Sequence, residues 1–128
     1  MSSGRHLRLF RADETEPFYF GEVDGRWLIG ADSVGARAIA FGQATYAPGT
    51  AIERHYHPNA EEVVLVLEGR ALHEVGGHEL EMGPGDVCFI PRGEAHSLAC
   101  LGDETLVILW AWGGASSVEA AGFIPAPR

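Results

Sequence analysis

Residues Gly49 to Gly69, GTAIERHYHPNAEEVVLVLEG, limit the folds open to this chain more than any other stretch. His55 and His57 are two apart, so an extended backbone turns both imidazoles to one side. Pro58-Asn59-Ala60 then has turn composition, since proline breaks a strand ladder and asparagine tolerates tight backbone geometry. Past the turn, Glu62, Val64, Val66 and Glu68 share one strand face, and Glu61, Val63, Leu65 and Leu67 the other. A strand, a turn and a strand thus bring two imidazoles and a carboxylate together. That is an N/O donor set suited to a divalent transition metal, with Glu61 or Glu62 as the carboxylate.

The same rhythm of short strands and tight turns runs through the chain. Ala36 to Ala47 reads as a long strand closed by Pro48-Gly49, with Phe41, Gln43 and Thr45 on one face and Gly42, Ala44 and Tyr46 on the other. Thr50 to His57 and Glu61 to Glu68 follow. Ala71 to Val75 and His78 to Met82 form a hairpin around Gly76-Gly77, a pair suited to a primed turn. Val87 to Ile90, Ala95 to Leu101 and Thr105 to Trp112 are the later strands. About ten such strands, in a chain with 17 glycines and 7 prolines, predict an all-β fold, an antiparallel barrel or jelly roll. The mouth of such a barrel can hold a small ligand.

Its 128 residues fit one domain and not two. Residues 1–35 make an N-terminal arm with an edge strand at Leu7 to Phe10, an acidic turn at Ala12 to Pro17 and an apolar piece at Trp27 to Gly30. Residues 36–112 make the barrel. Residues 113–128 make a tail, in which Ser116 or Ser117 caps one helical turn and Ser116 and Glu119 have capping-box spacing.

The formal charge of -9 disfavours nucleic acid and anionic membranes as partners, and no basic run offsets it. MSSGRHLRLFRADE lacks the apolar core of a signal peptide, so the expectation is a soluble, cytoplasmic protein. Cys88 and Cys100 lack CxxC spacing and read as reduced thiols.

Two motifs in the middle of the chain resemble those of the cupin superfamily. The first, G-x5-H-x-H-x3,4-E-x6-G, is met by Gly49, His55, His57, Glu62 and Gly69, and its register selects Glu62 over Glu61. The second, G-x5-P-x-G-x2-H-x3-N, is met by Gly85, Pro91, Gly93 and His96, with Cys100 in place of asparagine. The resemblance spans about residues 40 to 112. It implies a double-stranded β-helix holding one divalent metal by His55, His57, Glu62 and His96, with Fe2+ favoured over Mn2+, Ni2+ or Zn2+. It further implies a homodimer and an enzyme acting on a small oxygenated metabolite, a dioxygenase first. The alternatives are a redox-neutral lyase, isomerase or cyclase, or a non-catalytic small-ligand-binding cupin.

HYH followed by AE, then GDVCFIPRGEAH, then ETLVILWAW also resemble the small cupins that cleave dimethylsulfoniopropionate, whose tyrosine base lies two residues beyond the metal-ligand glutamate. Here that position is Val64. Tyr46, His73 and Gln43 remain as candidates for a catalytic proton carrier. Tyr56 lies between the two histidines and points away from them, while Trp110 and Trp112 share a strand face as core or dimer-contact residues.

Overall fold

The computed structural model describes residues 7–128. The chain begins with a 3-10 turn at Ala12–Glu14, then forms β1 (Pro17–Phe20), β2 (Val23–Ile29), a short helix α1 (Ala31–Val34) and β3 (Ile39–Tyr46). The middle holds β4 (Ala51–Tyr56), β5 (Glu61–Glu68), β6 (Arg70–Val75), β7 (His78–Met82), β8 (Val87–Ile90) and β9 (His96–Leu101). It closes with β10 (Leu106–Gly113), helix α2 (Val118–Ala121) and β11 (Ile124–Pro125).

These strands make two antiparallel sheets, ordered β1-β2-β3-β10-β5-β8 and β11-β4-β9-β6-β7. From β3 to β10 the chain changes sheet at each connection except the β6–β7 hairpin. The expectation of an all-β jelly roll holds, but the word barrel needs correcting. The two sheets face each other as a sandwich, and no strand pairing joins one to the other among the described residues.

Alternation builds the core. Along β10, Leu106, Ile108, Trp110 and Trp112 are buried while the residues between them are half-buried. Along β3, Ala40, Gly42, Ala44 and Tyr46 point inward. Val23, Val66, Ile90 and Leu106 are fully enclosed between the sheets. Glycine is required where β3 passes Trp110, because a Cβ on Gly42 would lie 2.5 Å from the indole. The β6–β7 turn also forms as expected, with φ of 57° at Gly76 and 89° at Gly77, the left-handed pair that a primed turn needs.

The ends of the chain differ from the sequence reading. Leu7 to Phe10 is not a strand, and Leu7 and Leu9 are exposed. The first strand is instead Pro17–Phe20, paired with β2. Residues 1–6 of the expected arm lie outside the described residues. At the other end Ser117, not Ser116, caps the helical turn, its hydroxyl accepting from the Ala120 N–H at 3.1 Å. Ile124 and Pro125 then pair with Tyr56 and His55 on the edge of β4.

Candidate metal centre

The site is assembled across both sheets. His55 is the penultimate residue of β4, His57 lies just past its end, His96 opens β9, and Glu62 reaches in from β5 on the facing sheet. His55 and His96 are cross-strand partners, a pairing no local spacing could reveal. A bulge makes β4 work here: between Ile52 and His55 it carries one residue more than β9. The extra residue lets Ile52 and His55, three apart, both line the interior.

All three rings are buried and each is fixed at Nδ1 by a backbone carbonyl. His55 donates to Glu53 O at 2.7 Å, His57 to Gly122 O at 2.6 Å and His96 to Glu94 O at 3.0 Å. A carbonyl can only accept, so each neutral ring carries its proton on Nδ1 and presents the Nε2 lone pair. The ligand atoms of His55, His57 and His96 lie within 4.8 Å of one another. Glu62 Oε1 lies 3.4 Å from both His57 Nε2 and His96 Nε2.

With the Nδ1 protons committed, those 3.4 Å approaches set lone pair against lone pair. Glu62 Oε1 and His96 Nε2 are buried without a hydrogen-bond partner, a costly state unless something positive sits between them. A proton can supply that charge. Burial alone would favour the neutral ring of His96, but the Glu62 carboxylate outweighs it and raises the His96 pKa. Burial likewise opposes charge on Glu62, yet His57 and His96 hold it below the usual carboxylate range. A metal ion supplies the charge with better geometry. Donors bound at about 2.1 Å to a shared ion stand roughly 3 Å or more apart, close to the spacing seen. The three histidines could therefore hold a metal, with Glu62 within reach as a fourth donor.

The cavity around these donors is small, with about 50 Å³ of room. Its walls are apolar and aromatic, among them Tyr46, Val64, Trp110 and Trp112, and no Lys or Arg among the described residues lines it. Trp112 lies 4.6 Å from His57, centroid to centroid. Trp110 and Trp112 are thus core residues that also wall the site.

The three candidate proton carriers fare differently. Gln43 stands on the outward face of β3 and is absent from the cavity. Tyr46 lines it, and burial with Glu62 nearby pushes its pKa up, so the phenol keeps its proton. His73 lines it from β6, its ring 6.3 Å from that of His96 and its Nδ1 unpartnered. Burial and the neighbouring His96 lower its pKa to about 4, leaving it neutral. Val64 occupies the wall where the lyase-like tyrosine would stand, and Tyr56 faces away as expected. Cys100 shares the inward face of β9 with His96 but lies off the cavity, its thiol 3.1 Å from Glu104 O. Cys88 and Cys100 are not bridged.

Sequence reasoning missed the cover. Phe123 stacks on His55 at 4.1 Å and 12°, and Phe20 stacks on Phe123 at 6.4 Å and 16°. Gly122, which supplies the acceptor for His57, has φ of 81°. The aromatic run Pro17-Phe18-Tyr19-Phe20 before Gly21 was a readable strand signal. Phe123 carried no comparable mark.

Comparison with known proteins identifies the family and the fold. The chain is 29% identical over 89 residues to an oxalate-binding protein of Thermotoga maritima, covering 70% of this chain and 74% of that one. It is 32% identical over 102 residues to a dimethylsulfoniopropionate lyase of Ruegeria pomeroyi, covering 80% and 65%. The fold superposes on the crystal structure of a predicted oxalate decarboxylase from Thermotoga maritima with a TM-score of 0.75. Sequence identity there is 26%, and the match covers 83% of this chain and 98% of that one. The chain spans about half to three-quarters of the length of the first curated relatives it matches. No helix among the described residues is long and apolar enough to cross a membrane. Residues 42–112 match the Cupin domain family, and the chain belongs to it.

Proposed function

We propose that this cupin is a metal-dependent enzyme acting on a small oxygenated metabolite, with His55, His57, Glu62 and His96 as the ligands of one divalent ion. The observation that carries the reading is the triple Nδ1 lock, which leaves three Nε2 lone pairs free on histidines whose ligand atoms lie within 4.8 Å of one another, with the Glu62 carboxylate 3.4 Å from two of them. Four protein donors leave positions open on a five- or six-coordinate ion, which a closed structural site lacks. A divalent metal held there supplies a Lewis acid and template, and as iron(II) a means of using O2. The chain's own residues orient the ligand against the metal and exclude water through the aromatic walls.

Dioxygenase is the first reading because the cavity lacks a base matched to neutral pH. Tyr46 holds its proton and His73, at about 4, binds one weakly, whereas general bases work best near the operating pH. The redox-neutral reading ranks second, supported by the lyase relative and by His73, whose free Nδ1 could still take part at a metal-activated substrate. The exposed residues Ile39, Val63, Leu67, Val87 and Phe89 on the outer face of the six-stranded sheet support a homodimer.

The test is metal analysis of protein purified without added metal, then O2 uptake by the iron-loaded protein across a panel of metal-chelating metabolites. One ion per chain and uptake in proportion to product are expected. Product at an undiminished rate under argon would favour the lyase; tight ligand binding without turnover would favour a binding protein.

A further inference from the structure

The metal cavity does not end at its apolar wall. A groove of about 610 Å³ lies beyond it, and Phe20, Ile52 and Phe123 line both spaces. The partition is therefore one layer of side chains. Phe20 and Phe123 are only half-buried and belong to the two ends of the chain, Phe20 closing β1 and Phe123 lying between α2 and β11.

The two spaces differ in kind. The inner one holds four histidines and Glu62 in about 50 Å³, enough for a few heavy atoms at the metal. The outer one presents Phe18, Tyr19, Phe20 and Phe123, and among the described residues its only charged lining residues are Glu22 and Glu53. Phe18 and Tyr19 are exposed there, an aromatic surface that water solvates poorly. Among the described residues no Lys or Arg lines either space, so the metal would be the charge that neutralises a negatively charged ligand.

Resting on the metal reading above, we propose that groove and cavity are two compartments of one substrate site. The substrate has an oxygen-bearing head that chelates the metal and an aromatic tail, without negative charge, that lies along the groove past Phe20 and Phe123. The aromatic walls stack the tail, and Glu22 and Glu53 reject an anionic one.

Three hydroxamates separate the parts of this claim, because the hydroxamate group chelates a metal whatever is attached to it. Calorimetry on zinc-loaded protein would compare acetohydroxamate, 3-phenylpropanohydroxamate and its 4-carboxyphenyl analogue. The phenyl compound is expected to bind about tenfold tighter than acetohydroxamate, and the carboxylate to lose most of that gain. Phe18→Ala should erode the gain and leave acetohydroxamate unchanged, while Glu53→Lys should restore binding of the carboxyphenyl compound. No binding of any hydroxamate would overturn the metal reading and this one with it. Normal acetohydroxamate binding with no gain from the phenyl tail, or a gain indifferent to both variants, would overturn the tail compartment alone.

Discussion

The donors of the site and its cover are built from different parts of the chain and by different means. His55, Glu62 and His96 come from a central block of strands paired on both sides, and His57 directly follows one of them: β4 lies between β11 and β9, β5 between β10 and β8, and β9 between β4 and β6. Phe20 comes from an edge strand of four residues, and Phe123 lies just before a strand of two. Inner strands held by two ladders fix a side chain's position closely, as a metal site demands. Edge elements carry fewer constraints and can part at small cost, since one aromatic pair is worth about 0.5–1.5 kcal/mol. The lesson is a division of labour, with binding placed in the rigid middle and access placed at the ends.

The sharpest way to break that division is to delete one member from each side and measure metal. His96→Ala removes a donor and leaves Glu62 Oε1 buried and facing a void. Metal affinity should fall by more than the roughly 10–100-fold that follows loss of an outer-shell partner. Phe123→Ala removes only the ring stacked on His55 and should change affinity by less than about threefold. Glu62→Gln should weaken binding more than Glu61→Gln, whose side chain lies on the exposed face of β5. Metal content per chain by atomic emission, with competition titration for affinity, checks all four. Equal losses for His96→Ala and Phe123→Ala would show that the cover is part of the donor frame.

This difference also explains how much could be read from the sequence. Spacing gave His55, His57 and Glu62 a common side because strands have period two, and the motif register chose Glu62. It could not show that His55 faces His96, because that contact depends on a long-range pairing and a bulge. Nor could it show that Gly122 O would hold the His57 ring, since the two are 65 residues apart. Gln43 and Tyr46 were equal candidates in the sequence, and the inward face of β3 separates them. The strand at Leu7 to Phe10 was misplaced because short apolar runs near a terminus have no partner visible in the sequence, and the real pairing begins at Pro17.

A second test sharpens the comparison through pH, and its effect should be smaller. His55 and His73 are both buried neutral, each with a pKa of about 4, well below the ordinary value of 6.5. A histidine whose folded pKa is depressed stabilises the fold above its unfolded pKa. That stability is lost as pH falls through the window from 6.5 to about 4. Each unit of depression corresponds to about 1.4 kcal/mol, so metal-free protein should lose several kcal/mol across the window. His96, raised by Glu62, works in the opposite sense and contributes stability that is lost as pH rises through its folded pKa. Replacing His73 by Leu should flatten the acid limb measurably and leave the neutral-pH metal content intact. Urea melts at pH 4.5 and 7 would check this. An unchanged acid limb in His73→Leu would place the acid sensitivity elsewhere.

The smallest expected effect tests the backbone contact through which the cover holds a donor ring. Gly122 holds φ of 81° and ψ of 144°, a conformation open to glycine and strained for any other residue, and a Cβ there would sit 2.8 Å from the Pro58 ring. Gly122→Ala should therefore destabilise the fold by about 1–3 kcal/mol. Its carbonyl is also the acceptor that fixes His57. If the backbone shifts to relieve the strain, the His57 ring loses its tautomer lock and metal affinity should fall by roughly tenfold. The affinities of His55 and His96 for the same ion do not depend on this acceptor, so the loss should stop well short of that in His96→Ala. The competition titration used for His96→Ala, paired with a thermal melt, reads both quantities. A lower melting temperature with unchanged affinity would mean that the tail merely covers the site. A fall in affinity as large as that of His96→Ala would mean that the tail helps to build it, and the division between the rigid middle and the accessory ends would fail at Gly122.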